Sequence, residues 1–318
     1  GTLDGYVADA GIDEVLVNGD EIWVDRGGRL EWAGQLTGAS LEQVIERILA
    51  PIGRRVDRTT PIVDARLSDG ARVCAVVPPV AVGGATLSIR RFSDDVRSLS
   101  DFTDASGVAL LSEIVATRCN VVVSGATSSG KTSLLAAIVD AIPDTERLLV
   151  LEDTTELPCR AAHAVRLEAR PATPDGVAAV TLDDLVRAAL RLRPDRLIVG
   201  EVRSTECLAL VQAMNTGHDG SLSTCHANGP VDALLRLESL VLQAAPQWPL
   251  SAVRQQLARS IDVVVQVERA GRARRIAAVA EVVAPGPDDH GAAPAVRLLG
   301  EADGDGFARR RSLSRSRR

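Results

Sequence analysis

The sequence predicts an α/β protein in two parts: a domain built on a largely parallel sheet, preceded by a smaller N-terminal α+β domain. Three observations point there. Short apolar runs at 121–123, 148–151 and 197–199 alternate with amphipathic helical patterns, as strands and helices do around a buried sheet. The first of these runs opens into a glycine-bounded loop followed by a helix. The chain has 318 residues, more than one compact core ordinarily uses.

Taken in order, residues 12–33 read as short strands with tight turns. Strands at 14–17 and 21–25 flank Asn18-Gly19, and Gly27-Gly28 separates the second from residues 29–32. Ser40 is placed to cap a helix in which Leu41, Val44, Ile45 and Ile48 form one apolar stripe. Strand-like segments at 71–77 and 85–91 close the first domain, residues 1–92. The polar, Asp- and Ser-rich stretch 93–106 reads as a linker. The larger α/β domain follows over 107–285, with helices at 131–142, 182–192, 205–214, 231–242 and 251–259 and late strands at 261–267 and 275–283. Residues 286–318 turn to Gly, Pro, Asp and Arg, and a disordered tail is expected.

Composition excludes several classes. Hydrophobic residues make up 46% and charged residues 25%, ordinary for a globular chain, while 2% aromatics leave Val, Leu, Ile and Ala to build the core. Net charge is -6, yet the stretch 307–318 holds six arginines and no acid, so the remainder is more acidic still. An acidic body argues against nucleic-acid binding and requires any polyphosphate site to be made locally positive. The five cysteines contain no C-x-x-C pair, which fits reduced thiols in the cytoplasm better than a disulfide framework or a zinc site. No apolar run reaches the roughly 18 residues of a spanning helix, so any membrane role is expected to be peripheral.

The segment NVVVSGATSSGKTSLLAAIV reads strand, loop, helix, and its loop matches G-x-x-x-x-G-K-[ST]. Gly125, Ala126, Thr127, Ser128, Ser129, Gly130, Lys131, Thr132 and Ser133 are the expected phosphate-binding residues. A triphosphate is a dense anion. Successive backbone N–H groups curl around it, the helix N-terminus adds its positive end, and glycines admit close approach. Lys131, the only lysine in the chain, reaches the β- and γ-phosphates of ATP in this scheme, and the Thr132 hydroxyl ligates Mg2+. Ser128 stands where such loops usually carry another glycine; if the position needs φ > 0, serine adds a small strain.

Hydrolysis needs acids near that loop. RLLVLEDTTEL supplies Glu152, Asp153 and Glu156 after one strand, and DRLIVGEVR supplies Glu201 after another. Gly200 occupies the usual metal-side Asp position, so Glu201 acts there alone, on Mg2+ or its water. Glu156 is the preferred general base or water positioner, and the two glutamates could exchange roles. MNTGHDGSLSTCHANGP places His218 and His226 eight residues apart around an expected strand, an even spacing that can put both on one face.

These segments together resemble the Flp/Tad pilus assembly ATPases (CpaF/TadA type) of the type II/IV secretion traffic ATPase superfamily. The resemblance extends from VLVNGDEIWVDRGGRLEW to RQQLARSIDVVVQVER, roughly residues 10–283. It implies a RecA-like P-loop domain, an Asp box in LEDTTEL, an atypical Walker B in IVGE and a His box in GHDGSLSTCH. It favours His218 and His226 as phosphate or interface sensors, and with the strand-end acids Glu156 and Glu201 it makes His226 an expected catalytic residue. A hexameric ring peripheral to the inner membrane, a membrane platform partner, and arginines completing the ATP site are implied as well. Arg90 and Arg91 match the family's SIRRF segment and are the expected γ-phosphate arginines; Arg193 and Arg203 are weaker candidates. The arginine-rich end lies outside the resemblance. Two other classes remain open: a nucleic-acid translocase on the same scaffold, and a nucleotide-responsive docking module with little turnover.

Overall fold

The computed structural model describes residues 2–91, 97–172, 176–271, 273–284, 295–304 and 306–314. It separates into two compact units, residues 1–94 and 95–318.

In the first unit, α1 (Asp4–Ala8) precedes β1 (Glu14–Asn18), β2 (Glu21–Asp25), β3 (Leu30–Gln35), α2 (Leu41–Leu49), β4 (Ile62–Arg66), β5 (Arg72–Val76) and β6 (Thr86–Arg90). The strands pair antiparallel in the order β3-β2-β1-β6-β5-β4. Period-two alternation sends Val15, Val17, Ile22, Val24, Val73, Ala75, Leu87 and Ile89 into one core. Helix α2 adds Leu41, Val44, Ile45 and Leu49, its start fixed by a reciprocal Ser40–Gln43 capping box. Ile48 is only half-buried and Leu49 takes the core position instead. Asn18 pairs with Glu21, so the hairpin loop is Gly19-Asp20, with Gly19 at φ 63. Strand β4 was not anticipated, because Val63 is its only buried residue and the pattern is faint.

The second unit contains α3 (Ala105–Ala116), β7 (Val121–Gly125), α4 (Lys131–Asp140), β8 (Leu148–Glu152), β9 (Ala164–Glu168), α5 (Leu182–Ala189), β10 (Arg196–Val199), α6 (Glu206–Met214), β11 (Leu222–His226), α7 (Pro230–Ala244), α8 (Leu250–Ser260), β12 (Val263–Ala270), β13 (Ala273–Val283), β14 (Ala295–Asp303) and β15 (Gly306–Arg309). Nine strands form one sheet, ordered β15-β14-β13-β12-β7-β11-β10-β8-β9. From β12 to β9 all neighbours are parallel, whereas β13, β14 and β15 return as an antiparallel meander. The parallel strands β7, β8 and β10 are buried on both faces, which is why they read as nearly unbroken apolar runs. Val121, Val123, Leu148, Val150 and Ile198 enter the core shared with α3 and α4. Their neighbours Val122, Leu149, Leu151, Leu197 and Val199 enter the opposite core, under α5, α6, α7 and α8.

Two expectations need correction. The second half of the expected linker belongs to the second unit: Leu99 and Phe102 are buried in its core, and Asp104 caps α3 by accepting from the N–H groups of Ser106 and Gly107. The Asp and Ser content there reflects capping residues. Residues 92–96 lie outside the described residues. The expected disordered tail is ordered at 295–304 and 306–314. Leu299 and Phe307 are buried there, the Phe307 N–H donates to Asp104 at 2.8 Å, and Arg309 pairs with Glu113 at 2.7 Å. Composition obscured a short apolar alternation whose arginines find acids on the body. Residues 285–294, 305 and 315–318 lie outside the described residues.

Candidate nucleotide site

Because β7, β8, β10 and β11 are parallel, the phosphate loop and the segments that begin with Glu156, Glu201 and His226 all gather at one carboxyl edge. Strand order decides which of them meet. β11 lies between β7 and β10, and His226 stands in register with Gly125, the first loop glycine.

The loop has the conformation that its glycines allow. A Cβ at Gly125 would lie 2.6 Å from the Val267 carbonyl oxygen, and one at Gly130, where φ is 101, would lie 2.5 Å from Arg274 Cδ. Neither position admits another residue. Ser128 has φ 59, so the anticipated left-handed conformation is present, at a cost of about 1–2 kcal/mol for a non-glycine residue. Ala126, Thr127 and Ser128 are exposed, Ser129 and Lys131 are buried, and Thr132 and Ser133 are half-buried in the first turn of α4. The Ser129 hydroxyl is shielded and has no hydrogen-bond partner.

Lys131 Nζ donates to the Ala126 carbonyl at 2.9 Å and stands 3.2 Å from His226 Nδ1. An ammonium only donates, so Nδ1 is the acceptor and the neutral ring carries its proton on Nε2. Nε2 is 2.8 Å from Glu201 Oε1, and the other carboxylate oxygen of Glu201 receives the Arg203 guanidinium at 2.5 Å. Burial holds His226 below the ordinary imidazole value, helped by the charges of Lys131, Arg203 and Arg236 and opposed by Glu201. Glu201 Oε1 is shielded and accepts no well-aligned hydrogen bond. With the Thr132 hydroxyl it offers the oxygen donors that Mg2+ prefers, so the residues present fit that ion.

Glu152 is 3% exposed at the end of β8. Its Oε1 accepts the N–H groups of Glu156 at 2.9 Å and Leu157 at 2.7 Å, and Arg166 lies 3.6 Å from Oε2. Burial raises its carboxyl above the usual range, the two N–H groups and Arg166 pulling the other way. A Cβ at Gly200 would come 3.0 Å from Glu152 Cγ. Gly200 thus stands at the usual acid position because Glu152, from the adjacent strand, fills the space and secures the Glu156 loop.

The other expected residues are dispersed. His218 precedes β11, 3.2 Å from the Ala213 carbonyl, so it and His226 flank opposite ends of the strand rather than share a face. Arg193, at φ 54, precedes β10 and lies at the edge away from Glu201. Arg90 and Arg91 are on the first unit; Arg91 donates to the Asp9 carbonyl at 2.7 Å. Arg274, which the sequence reading missed, donates to Ser133 Oγ at 2.8 Å. Nothing in the run GRARRI distinguishes it from its neighbours.

A phosphate loop after the central strand β7, with acids following the parallel strands β8 and β10 beyond β11, defines a RecA-like P-loop domain that follows a small α+β unit in the chain. Residues 3–285 match the family described as Type II/IV secretion system protein, and the chain belongs to that family. A putative conjugal transfer protein of Mycobacterium tuberculosis is 38% identical over 297 residues, covering 88% of this chain and 83% of the relative. The type IV secretion system protein PtlH of Bordetella pertussis is 33% identical over 310 residues, covering 86% and 90%. Among solved structures, the pilus retraction motor PilT with bound ADP shares the fold at TM-score 0.63 and 20% identity, covering 91% of this chain and 83% of PilT.

Proposed function

We propose that the chain hydrolyses ATP and that its second unit supplies the nucleotide site. The observation that carries this reading is the continuous contact Lys131–His226–Glu201, which joins the phosphate loop to the acid ending β10. The backbone of residues 125–133 wraps the phosphates, and Lys131 neutralises the β/γ end. Thr132 and Glu201 would hold Mg2+, which would supply positive charge against the phosphate oxygens. Neutral His226 accepts from Lys131 and keeps the ammonium aimed at the phosphates. Glu156, on the loop that Glu152 secures, orients and deprotonates the attacking water. Arg90 and Arg91 supply positive charge to the γ-phosphate.

The wider role follows from family membership and from the named relatives: a traffic ATPase that powers pilus assembly or protein secretion. The ring is taken to be hexameric, docked on an inner-membrane platform protein at the cytoplasmic face, and the Flp/Tad subtype remains the proposed subtype. ATPase rate measured against protein concentration, with light scattering and with added DNA or RNA, tests this. The motor reading requires specific activity to rise with assembly and to ignore nucleic acid. A monomer whose turnover is independent of concentration and stimulated by DNA would overturn it.

A further inference from the structure

We propose that Thr224 is a positioning residue for Glu201, fixing the peptide groups on both sides of it so that its carboxylate stays at the nucleotide; the role rests on the ATP-site reading above. β10 and β11 run parallel and stay paired as far as Val199 and Ser223. Beyond that point the chain turns out of the sheet, and the Gly200 carbonyl needs a new donor. The Thr224 hydroxyl supplies it at 2.8 Å, while the Thr224 carbonyl accepts the Val202 N–H at 3.0 Å. The first bond fixes the peptide before Glu201 and the second fixes the peptide after it. Thr224 is 1% exposed, so water competes poorly for either bond.

The same strand also holds the side chain. Leu222, Thr224 and His226 alternate onto one face of β11, the face whose Leu222 enters the core shared with α3 and α4. His226 Nε2 stands 2.8 Å from Glu201 Oε1, so β11 grips Glu201 at two peptides and one carboxylate oxygen. The remaining anchors of the segment lie to either side. From β8, Glu152 fills the space beside Gly200, and the Leu151 carbonyl accepts the Gly200 N–H at 2.9 Å. The buried Glu206 carboxylate accepts the N–H groups of Arg203 at 2.5 Å and Ser204 at 2.7 Å, which ties the downstream end to α6. Glu201 falls between these anchors, where Thr224 fixes the backbone. A glutamate side chain amplifies small backbone rotations, so the two fixed peptides decide where its carboxylate faces the phosphate loop.

The test compares the full chain as wild type, Thr224→Val and Thr224→Ser in ATPase kinetics, MgATP binding, and amide hydrogen exchange without nucleotide. Valine keeps the branched shape and loses the donor; serine keeps the donor. For Thr224→Val the expected result is kcat about 10-fold lower, MgATP affinity within about 2-fold of wild type, and faster exchange over residues 200–204. Thr224→Ser recovers most of kcat and of the protection. In a Glu201→Gln background, Thr224→Val costs nothing further, because its effect passes through that carboxylate. Unchanged kcat and exchange in Thr224→Val would overturn the proposal, as would a loss of kcat that adds in full to that of Glu201→Gln. Equal losses in Thr224→Val and Thr224→Ser, or affinity falling as far as kcat, would assign Thr224 a structural or binding role and refute it. A wild-type chain without turnover, whose exchange still depends on the hydroxyl, would instead refute the ATP-site reading, with the backbone clamp itself upheld.

Discussion

Gly200→Ala is the substitution that probes the catalytic edge most sharply. The new Cβ lies 3.0 Å from Glu152 Cγ, so the glutamate must swing aside by a few tenths of an ångström. Glu152 Oε1 currently holds the Glu156 and Leu157 N–H groups at 2.9 and 2.7 Å. Hydrogen bonds to a charged group contribute about 1.5–3 kcal/mol each, and lengthening both forfeits a fraction, so the expected cost is roughly 1–2 kcal/mol. For a unit of this size that lowers the unfolding temperature by roughly 3–6 °C. Turnover falls as well, because the loosened segment carries Glu156. The mechanism is tested by a double-mutant cycle in urea unfolding. Glu152→Ala alone leaves two shielded N–H groups without a partner, at about 1–3 kcal/mol each. In that background the new Cβ at 200 meets only the remaining Cβ of residue 152, at an ordinary 3.7 Å, and costs close to nothing. Equal costs of Gly200→Ala in both backgrounds would refute the argument.

Three further outcomes follow from the same geometry. Ser128→Gly relieves a left-handed serine and raises stability by less than about 1 kcal/mol after the added chain entropy, read as an unfolding shift and tighter nucleotide binding. His226 titrates below its ordinary 6.5, so the folded state binds fewer protons than the unfolded one between the two values. Stability is fully present above 6.5 and is lost as pH falls through that window; activity declines only below 6.5, and His226→Asn removes both dependences. Arg90→Ala and Arg91→Ala leave MgATP affinity near wild type and lower kcat by about 10-fold or more, with the 10³–10⁵ of arginine effects in phosphate-loop enzymes as the upper bound; a change in affinity alone would exclude a γ-phosphate role.

Much of this architecture was legible in the sequence because the central strands are covered on both faces. Burial forces Val121–Val123 and Leu148–Leu151 to be uniformly apolar, and the loop after β7 is constrained by phosphate chemistry as well. Pairings between distant segments left no such mark. That β11 inserts between β7 and β10 is a matter of topology, and only that order turns His226 from one of two candidate histidines into the link between Lys131 and Glu201. Gly200 looked like a missing acid until Glu152 was found filling its space. β14 and β15 were hidden by composition, since Leu299 and Phe307 are buried amid glycine, aspartate and arginine. Arg274 sits in an arginine-rich strand, and its contact with Ser133 is invisible without the hairpin that delivers it.

The central claim is that Lys131 and Glu201 are two sides of one ATP-hydrolysing site, bridged by His226. Phosphate release and MgATP binding measured together on wild type, Lys131→Ala and Glu201→Gln test it most directly. The expected result is steady turnover in the wild type, loss of both binding and turnover in Lys131→Ala, and retained binding with turnover reduced about 100-fold in Glu201→Gln. Wild-type turnover that persists in Lys131→Ala, or that is untouched by Glu201→Gln, would contradict it.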